Sequence, residues 1–139
     1  MMSFEQMLSG ALGANLEHQL SVEHAKKWLS TEQWLREYAT IRLSMGRQIG
    51  KTRAICRLAS SSDLVVVYGQ AMGHDLKART SFNPVVVTPR SLLPGVGLRG
   101  FHFDRIWVDE ASMTLKGDDL DNVYASAVLN GAKQVILIG

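Results

Sequence analysis

The sequence has one cysteine, Cys56, so no disulfide can form within it. No apolar run approaches the ~20 residues that a membrane span requires. Met1 to Leu20 lacks the basic start and continuous apolar core of a signal peptide. The simplest compartment is the cytoplasm, or the host cytoplasm if the protein is viral. No internal repeat or low-complexity segment is present. His18 and His24 have no Cys or His partner at metal-binding spacing and read as surface residues. Acids are missing from two long stretches. Ala39 to Ser62 carries Arg42, Arg47, Lys51, Arg53 and Arg57 without one, and Leu76 to Phe103 carries Lys77, Arg79, Arg90 and Arg99 without one.

The chain has 139 residues, 46% hydrophobic and 20% charged, which suits a soluble globular protein with one core. Its formal net charge of +2 conceals the segregation, because acids gather later, at Asp104, Asp109, Glu110, Asp118, Asp119 and Asp121. Basic stretches of this kind serve phosphate binding or a nucleic-acid backbone, and a solvated basic face has the same composition.

The densest chemistry lies between Thr40 and Ile55. A β-prone run, Ile41 to Met45, leads into Gly46-Arg47-Gln48-Ile49-Gly50-Lys51-Thr52, and a helical segment follows. Strand, glycine loop, Lys-Thr and helix form the architecture of a phosphate-binding P-loop. Gly50 lets the backbone turn and bring its N–H groups against a phosphate, and the positive end of the helix points at the same anion. Lys51 would reach the β- and γ-phosphates, and Thr52 would offer its hydroxyl to Mg²⁺. The usual spacing places a glycine where Met45 stands, and the first glycine here is one residue late. An ordinary βα turn would use the same residue types.

A second stretch, Phe103 to Glu110, reads as an apolar strand, Asp104 to Asp109, ending in paired acids. Ligands of parallel sheets bind outside the carboxyl ends of the strands, so Asp109 and Glu110 are expected at the same sheet edge as the glycine loop. Asp109 could hold Mg²⁺ through water, and Glu110 could orient or deprotonate an attacking water. Alone, an Asp-Glu pair is also what a solvated strand end looks like. Asp109 follows Thr52 by about 57 residues, in the order the chemistry needs.

Elsewhere, residues 1–38 read as a helical N-terminal extension packing on a core of residues 39–139. Phe4, Met7, Leu8, Leu12 and Leu16 recur at helical spacing, and Val22 to Tyr38 reads as a second helix. Ser21 with His24 and Ser30 with Gln33 are possible helix starts, of which Ser30 fits the capping box. Trp28 and Trp34 are expected in the core, with an adenine pocket as the alternative. Cys56 reads as a small buried side chain. Leu64 to Tyr68, Pro84 to Thr88 and Gln134 to Ile138 are further strands, and Ala71 to Arg79 and Asp118 to Asn130 are helices. Leu120, Val123, Tyr124, Ala127 and Val128 would share one face, with Gly131 as C-cap. Pro89, Pro94, Gly95, Gly97 and Gly100 mark an irregular connection, and Ala111 to Gly117 a loop. The fold class expected is α/β: a three-layer sandwich on a mainly parallel five-stranded sheet.

Gly46-Arg47-Gln48-x-Gly50-Lys51-Thr52 resembles the deviant P-loop of phage large terminase subunits, the DNA-packaging motors. Leu98 to Ser112 looks like their Arg-Gly, strand, Asp-Glu-Ala segment, and Val135 to Gly139 like the strand leading to their ATPase-coupling motif. The likeness covers about Leu35 to Gly139, and superfamily 2 helicases and other RecA-like ATPases share much of it. It implies a RecA-like sheet, ATP and Mg²⁺ as cofactors, and ATP hydrolysis. Gly46, Arg47, Gln48, Ile49, Gly50, Lys51 and Thr52 would bind nucleotide, Thr52 and Asp109 the metal, and Glu110 with Arg47 would be catalytic. The partners implied are double-stranded DNA, further copies of the chain, or a second motor or nuclease polypeptide. A neighbour's arginine would complete the site, with Arg79, Arg90 and Arg99 as candidates. The displaced first glycine leaves open an alternative, a non-enzymatic nucleotide-binding or regulatory module that binds a host or phage complex. The guanine-reading Asn-Lys-x-Asp is missing too, which tilts the nucleotide to ATP.

Overall fold

The computed structural model describes residues 2–44, 50–80, 85–92, 98 and 100–139. Helix α1 (Phe4–Ser21) starts on a reciprocal cap: Gln6 N–H donates to Ser3 Oγ at 3.1 Å, and Ser3 N–H to Gln6 Oε1 at 2.9 Å. Its apolar positions Phe4, Leu8 and Leu12 are buried, whereas Leu16 is exposed. Beyond Leu12 the helix is tied down by polar contacts instead, with Asn15 donating to the Tyr38 carbonyl and Gln134 to the Leu12 carbonyl.

The helix expected over Val22 to Tyr38 is broken. A 3₁₀ turn (Glu23–Lys27) is followed by α2 (Thr31–Tyr38), because Ser30 and Gln33 cap each other and start a new helix there. Ser21 starts nothing; its hydroxyl closes α1 on the His18 carbonyl. Trp34 is core as expected, and Trp28, on the other side of the break, is exposed.

The remaining order is β1 (Thr40–Leu43), α3 (Lys51–Leu58), β2 (Leu64–Val66), α4 (Gln70–Arg79), β3 (Val85–Val87), a 3₁₀ turn (Pro89–Leu92), β4 (Arg105–Val108), α5 (Ala111–Thr114), α6 (Asp119–Asn130) and β5 (Gln134–Ile138). The loop expected after Glu110 therefore contains one helical turn. It forms because the Glu110 carbonyl accepts from the N–H groups of both Met113 and Thr114. The first strand ends at Leu43, earlier than expected, and Met45 lies outside the described residues, as do Pro84, Pro94, Gly95 and Gly97.

The five strands form one sheet in the order β1-β5-β4-β2-β3, and every pairing is parallel. Alternate residues feed two cores. Leu64, Val66, Ile106, Val108, Val135 and Leu137 pack on one face with Trp34 and Leu35 of α2 and Val123, Tyr124 and Ala127 of α6. Val65, Trp107, Ile136 and Ile138 pack on the other with α1, α3 and α4. Helices on both faces explain the unbroken apolar runs of the strands. Val128 lies on the outer side of α6, 40% exposed, and departs from the face expected for it. Gly131 closes α6 with φ 70°, as a left-handed C-cap. No helix among the described residues is long and apolar enough to cross a membrane.

Candidate functional site

Parallel pairing puts all strand ends of one polarity at one edge. Leu43, Val66, Val108 and Ile138 end their strands there, and β5 separates β1 from β4. Gly50 caps α3 at this edge with φ 108°, a conformation that excludes other residues without strain. Lys51 is the first residue of α3 and only 6% exposed. Its Nζ donates to the Gly139 carbonyl at 2.5 Å and stands 4.0 Å from Glu110 Oε1. Gly139 is itself held by its N–H on the Leu43 carbonyl, so the acceptor is fixed between β1 and β5.

At the second residue of α3, Thr52 Oγ1 donates to Asp109 Oδ2 at 2.9 Å, joining the two motifs across 57 residues. Asp109 is fully buried, its N–H bonds the Val66 carbonyl, and its own carbonyl accepts from the Thr114 hydroxyl at 2.7 Å. Its Oδ1 is buried without a partner. Burial pushes the Asp109 carboxyl above the usual carboxylate range; the Thr52 hydrogen bond opposes that shift, and the Glu110 charge adds to it.

Glu110 stands at φ 49°, ψ 54°, the only described residue other than glycine with positive φ. A side chain in this region costs roughly 1–2 kcal/mol of backbone strain. The turn directs the half-exposed Glu110 carboxylate toward Lys51 and leaves Asp109 facing Thr52.

The structure thus brings Gly50, Lys51, Thr52, Asp109 and Glu110 together. Gly46, Arg47, Gln48 and Ile49 lie outside the described residues, as does Arg99. Arg79 is engaged on α4 with Asp75 at 3.4 Å, and Arg90 is exposed on the 3₁₀ turn after β3. Neither tryptophan of the N-terminal region reaches this edge. Trp34 packs on Tyr38 and lines a cleft with Ala132 and Lys133, which precede β5, so the adenine-pocket alternative falls away.

Two features escaped the sequence reading. One is the Gly139 carbonyl as the partner of Lys51, 88 residues away. The other is a cleft of about 440 Å³ beside Glu110, between β1, β5 and α5, with Ser44 and Ser112 hydroxyls on an apolar floor that includes Leu120 and Leu137. Their only signal was position at strand carboxyl ends.

Hard oxygen donors and an unpartnered buried carboxylate oxygen are what a Mg²⁺ ion uses, so the residues present fit that ion. Among the described residues no group of three or more His, Cys, Asp or Glu side chains could hold a metal. An ion here would share its coordination between this pair and a ligand. No protein-family model matches the chain, and no curated protein matches it either.

Proposed function

We propose that the chain is a Mg²⁺-dependent P-loop ATPase of RecA-like, packaging-motor type, acting with DNA or partner subunits. The observation that carries the reading is the Thr52–Asp109 hydrogen bond at 2.9 Å, beside a buried Lys51 at the amino end of α3. A core needs neither a buried ammonium nor a buried carboxylate, and both sit where an anion and its cation would.

In this reading Lys51 leaves the Gly139 carbonyl to pair with phosphate oxygens, and the first N–H groups of α3 face the same anion. Thr52 and Asp109 would hold Mg²⁺, which would supply charge neutralisation and polarisation of the phosphoryl group. Glu110 accepts the proton of the attacking water, and its backbone turn fixes the direction of the carboxylate. Arg47, by the family resemblance, stabilises the γ-phosphate. Positioning and electrostatics carry the transfer.

The test is ATP binding and turnover with Mg²⁺ by the wild type, Lys51→Ala and Glu110→Gln, each with and without double-stranded DNA. Lys51→Ala is expected to lose binding. Glu110→Gln is expected to keep binding and lose about 10²–10⁴-fold in turnover. Unchanged turnover in Glu110→Gln removes Glu110 from the mechanism. Binding without turnover in the wild type replaces the enzyme with the regulatory module, and no binding overturns the nucleotide reading.

A further inference from the structure

A second cleft, of about 390 Å³, opens at the other edge of the sheet, between the end of α1, the 3₁₀ turn, α2 and α6. Leu29, Trp34, Leu35, Ala127 and Ala132 supply its apolar lining, and among the described residues the charged side chains lining it are Lys26 and Lys133. Trp28 is 82% exposed and adjoins Leu29; Leu20 is 73% exposed and adjoins Gln19, which also lines the cleft.

The exposed tryptophan is not on a slack segment. Trp28 N–H bonds the Ala25 carbonyl at 3.0 Å, and two residues later the Ser30–Gln33 cap fixes the backbone again. Lys26 stands over the Trp34 ring, 4.8 Å from its centroid, with one exposed carboxylate, Glu23, at 3.8 Å. Gln19 bonds the Lys133 carbonyl and joins α1 to the start of β5, so two sides of the cleft are braced against each other. An apolar cleft with two lysines on its walls, next in sequence to an exposed aromatic whose backbone is held, is complementary to an anionic, apolar-anchored segment.

We propose that this cleft docks an acidic peptide segment of a partner protein. One large apolar side chain of the peptide seats on Leu29 and Trp34 with Trp28 as its lip, and flanking Asp or Glu residues meet Lys26 and Lys133. The cleft lies at the amino edge of the sheet, so a docked peptide leaves the opposite edge, where Lys51, Asp109 and Glu110 meet, uncovered.

The test is selection of a random-peptide library on the intact chain, followed by titration of the selected peptides against wild type, Trp28→Ser, Lys26→Glu and Lys133→Glu. The expected peptides carry Asp or Glu around a Trp, Phe or Leu, and bind more weakly as salt rises. Trp28→Ser is expected to weaken them about tenfold or more, and each Lys→Glu change several-fold, with circular dichroism unchanged. Selection of uncharged or basic peptides, equal binding to all four proteins, or no selected peptide overturns the proposal. So does Trp28-dependent binding to phosphatidylglycerol vesicles in place of peptides, or Trp28-dependent dimerisation in sedimentation.

Discussion

Asp109→Asn is expected to stabilise the nucleotide-free protein while weakening its response to Mg²⁺ and ATP. The wild-type carboxylate is fully buried; Oδ1 has no partner within hydrogen-bonding geometry, and Oδ2 accepts from the Thr52 hydroxyl, with the Glu110 backbone N–H also favouring the charge. Its pKa is raised, chiefly by burial, so the folded state holds the proton more tightly than the unfolded chain, where Asp titrates near 3.9. The sign follows. Between the unfolded and folded pKa values the native state binds more protons, so stability falls as pH rises through that window. Above it the full cost of the buried charge is present. A neutral isostere should therefore raise the melting temperature of the ligand-free protein at pH 7, because it removes the cost of the buried charge. The gain should shrink as pH is lowered and the wild-type carboxyl takes up its proton. Ligand addition reverses the order: ligand at about 100 times Kd stabilises the wild type by about 2.7 kcal/mol, and the variant should lose most of this. Paired thermal melts from pH 4 to 8, with and without Mg²⁺ and ATP, read both effects. A variant less stable than the wild type at pH 7 without ligand would refute the argument, because the carboxylate would then be a structural acceptor.

Three further substitutions separate strain, scaffold and turn. Glu110→Gly is expected to raise stability by about 1 kcal/mol in denaturant melts by relieving the left-handed backbone at φ 49°, while abolishing any turnover that depends on the carboxylate. Asp63→Ala should cost about 3–5 kcal/mol in the same melts, because it strands the Arg105 guanidinium, 2.9 Å from Asp63 Oδ2, and the buried Trp107 N–H. Gly131→Ala should cost about 1–2 kcal/mol, since φ is 70° and a Cβ would lie 2.9 Å from His102 Nδ1.

The sheet was legible because its strands are continuous apolar runs and its helices carry apolar stripes; the runs around Val65, Ile106 and Ile136 could not be solvent-facing in any fold. The strand ends were overextended by a residue or two, since apolar side chains continue past the last ladder bond. The break at Trp28–Leu29 was obscured because helical periodicity runs straight through it, while a four-residue cap sets the boundary. The α5 turn was invisible because it depends on one unusual backbone angle at Glu110. At the site, Lys51, Thr52, Asp109 and Glu110 could be placed at one edge from strand polarity alone. The Lys51–Gly139 contact could not, since any carbonyl at that edge would have read the same in sequence.

The two buried acids of the sheet test whether the carboxyl edge is arranged for folding or for something else. Asp63 is fully buried, and its Oδ2 accepts from Ser60 N–H at 2.9 Å, Arg105 Nε at 3.0 Å and Trp107 Nε1 at 3.0 Å. That arrangement pins the turn before β2 to the start of β4, and a guanidinium offsets its charge. Asp109, at the opposite end of β4, is equally buried and has one hydroxyl donor. Lys51, the nearest candidate counter-charge, is turned to a carbonyl and to Glu110. The next residue, Glu110, holds a strained backbone whose carbonyl nucleates only a single helical turn. Each carboxylate leaves its Oδ1 buried without a partner, so the difference lies in Oδ2: at Asp63 it meets three donors and a guanidinium, and at Asp109 it meets the Thr52 hydroxyl beside an unusual turn. A single substitution at Asp109 or Glu110 would relieve the second arrangement, and that local cost, with no folding role visible for the Asp109 charge, is the physical argument for the ligand reading proposed above.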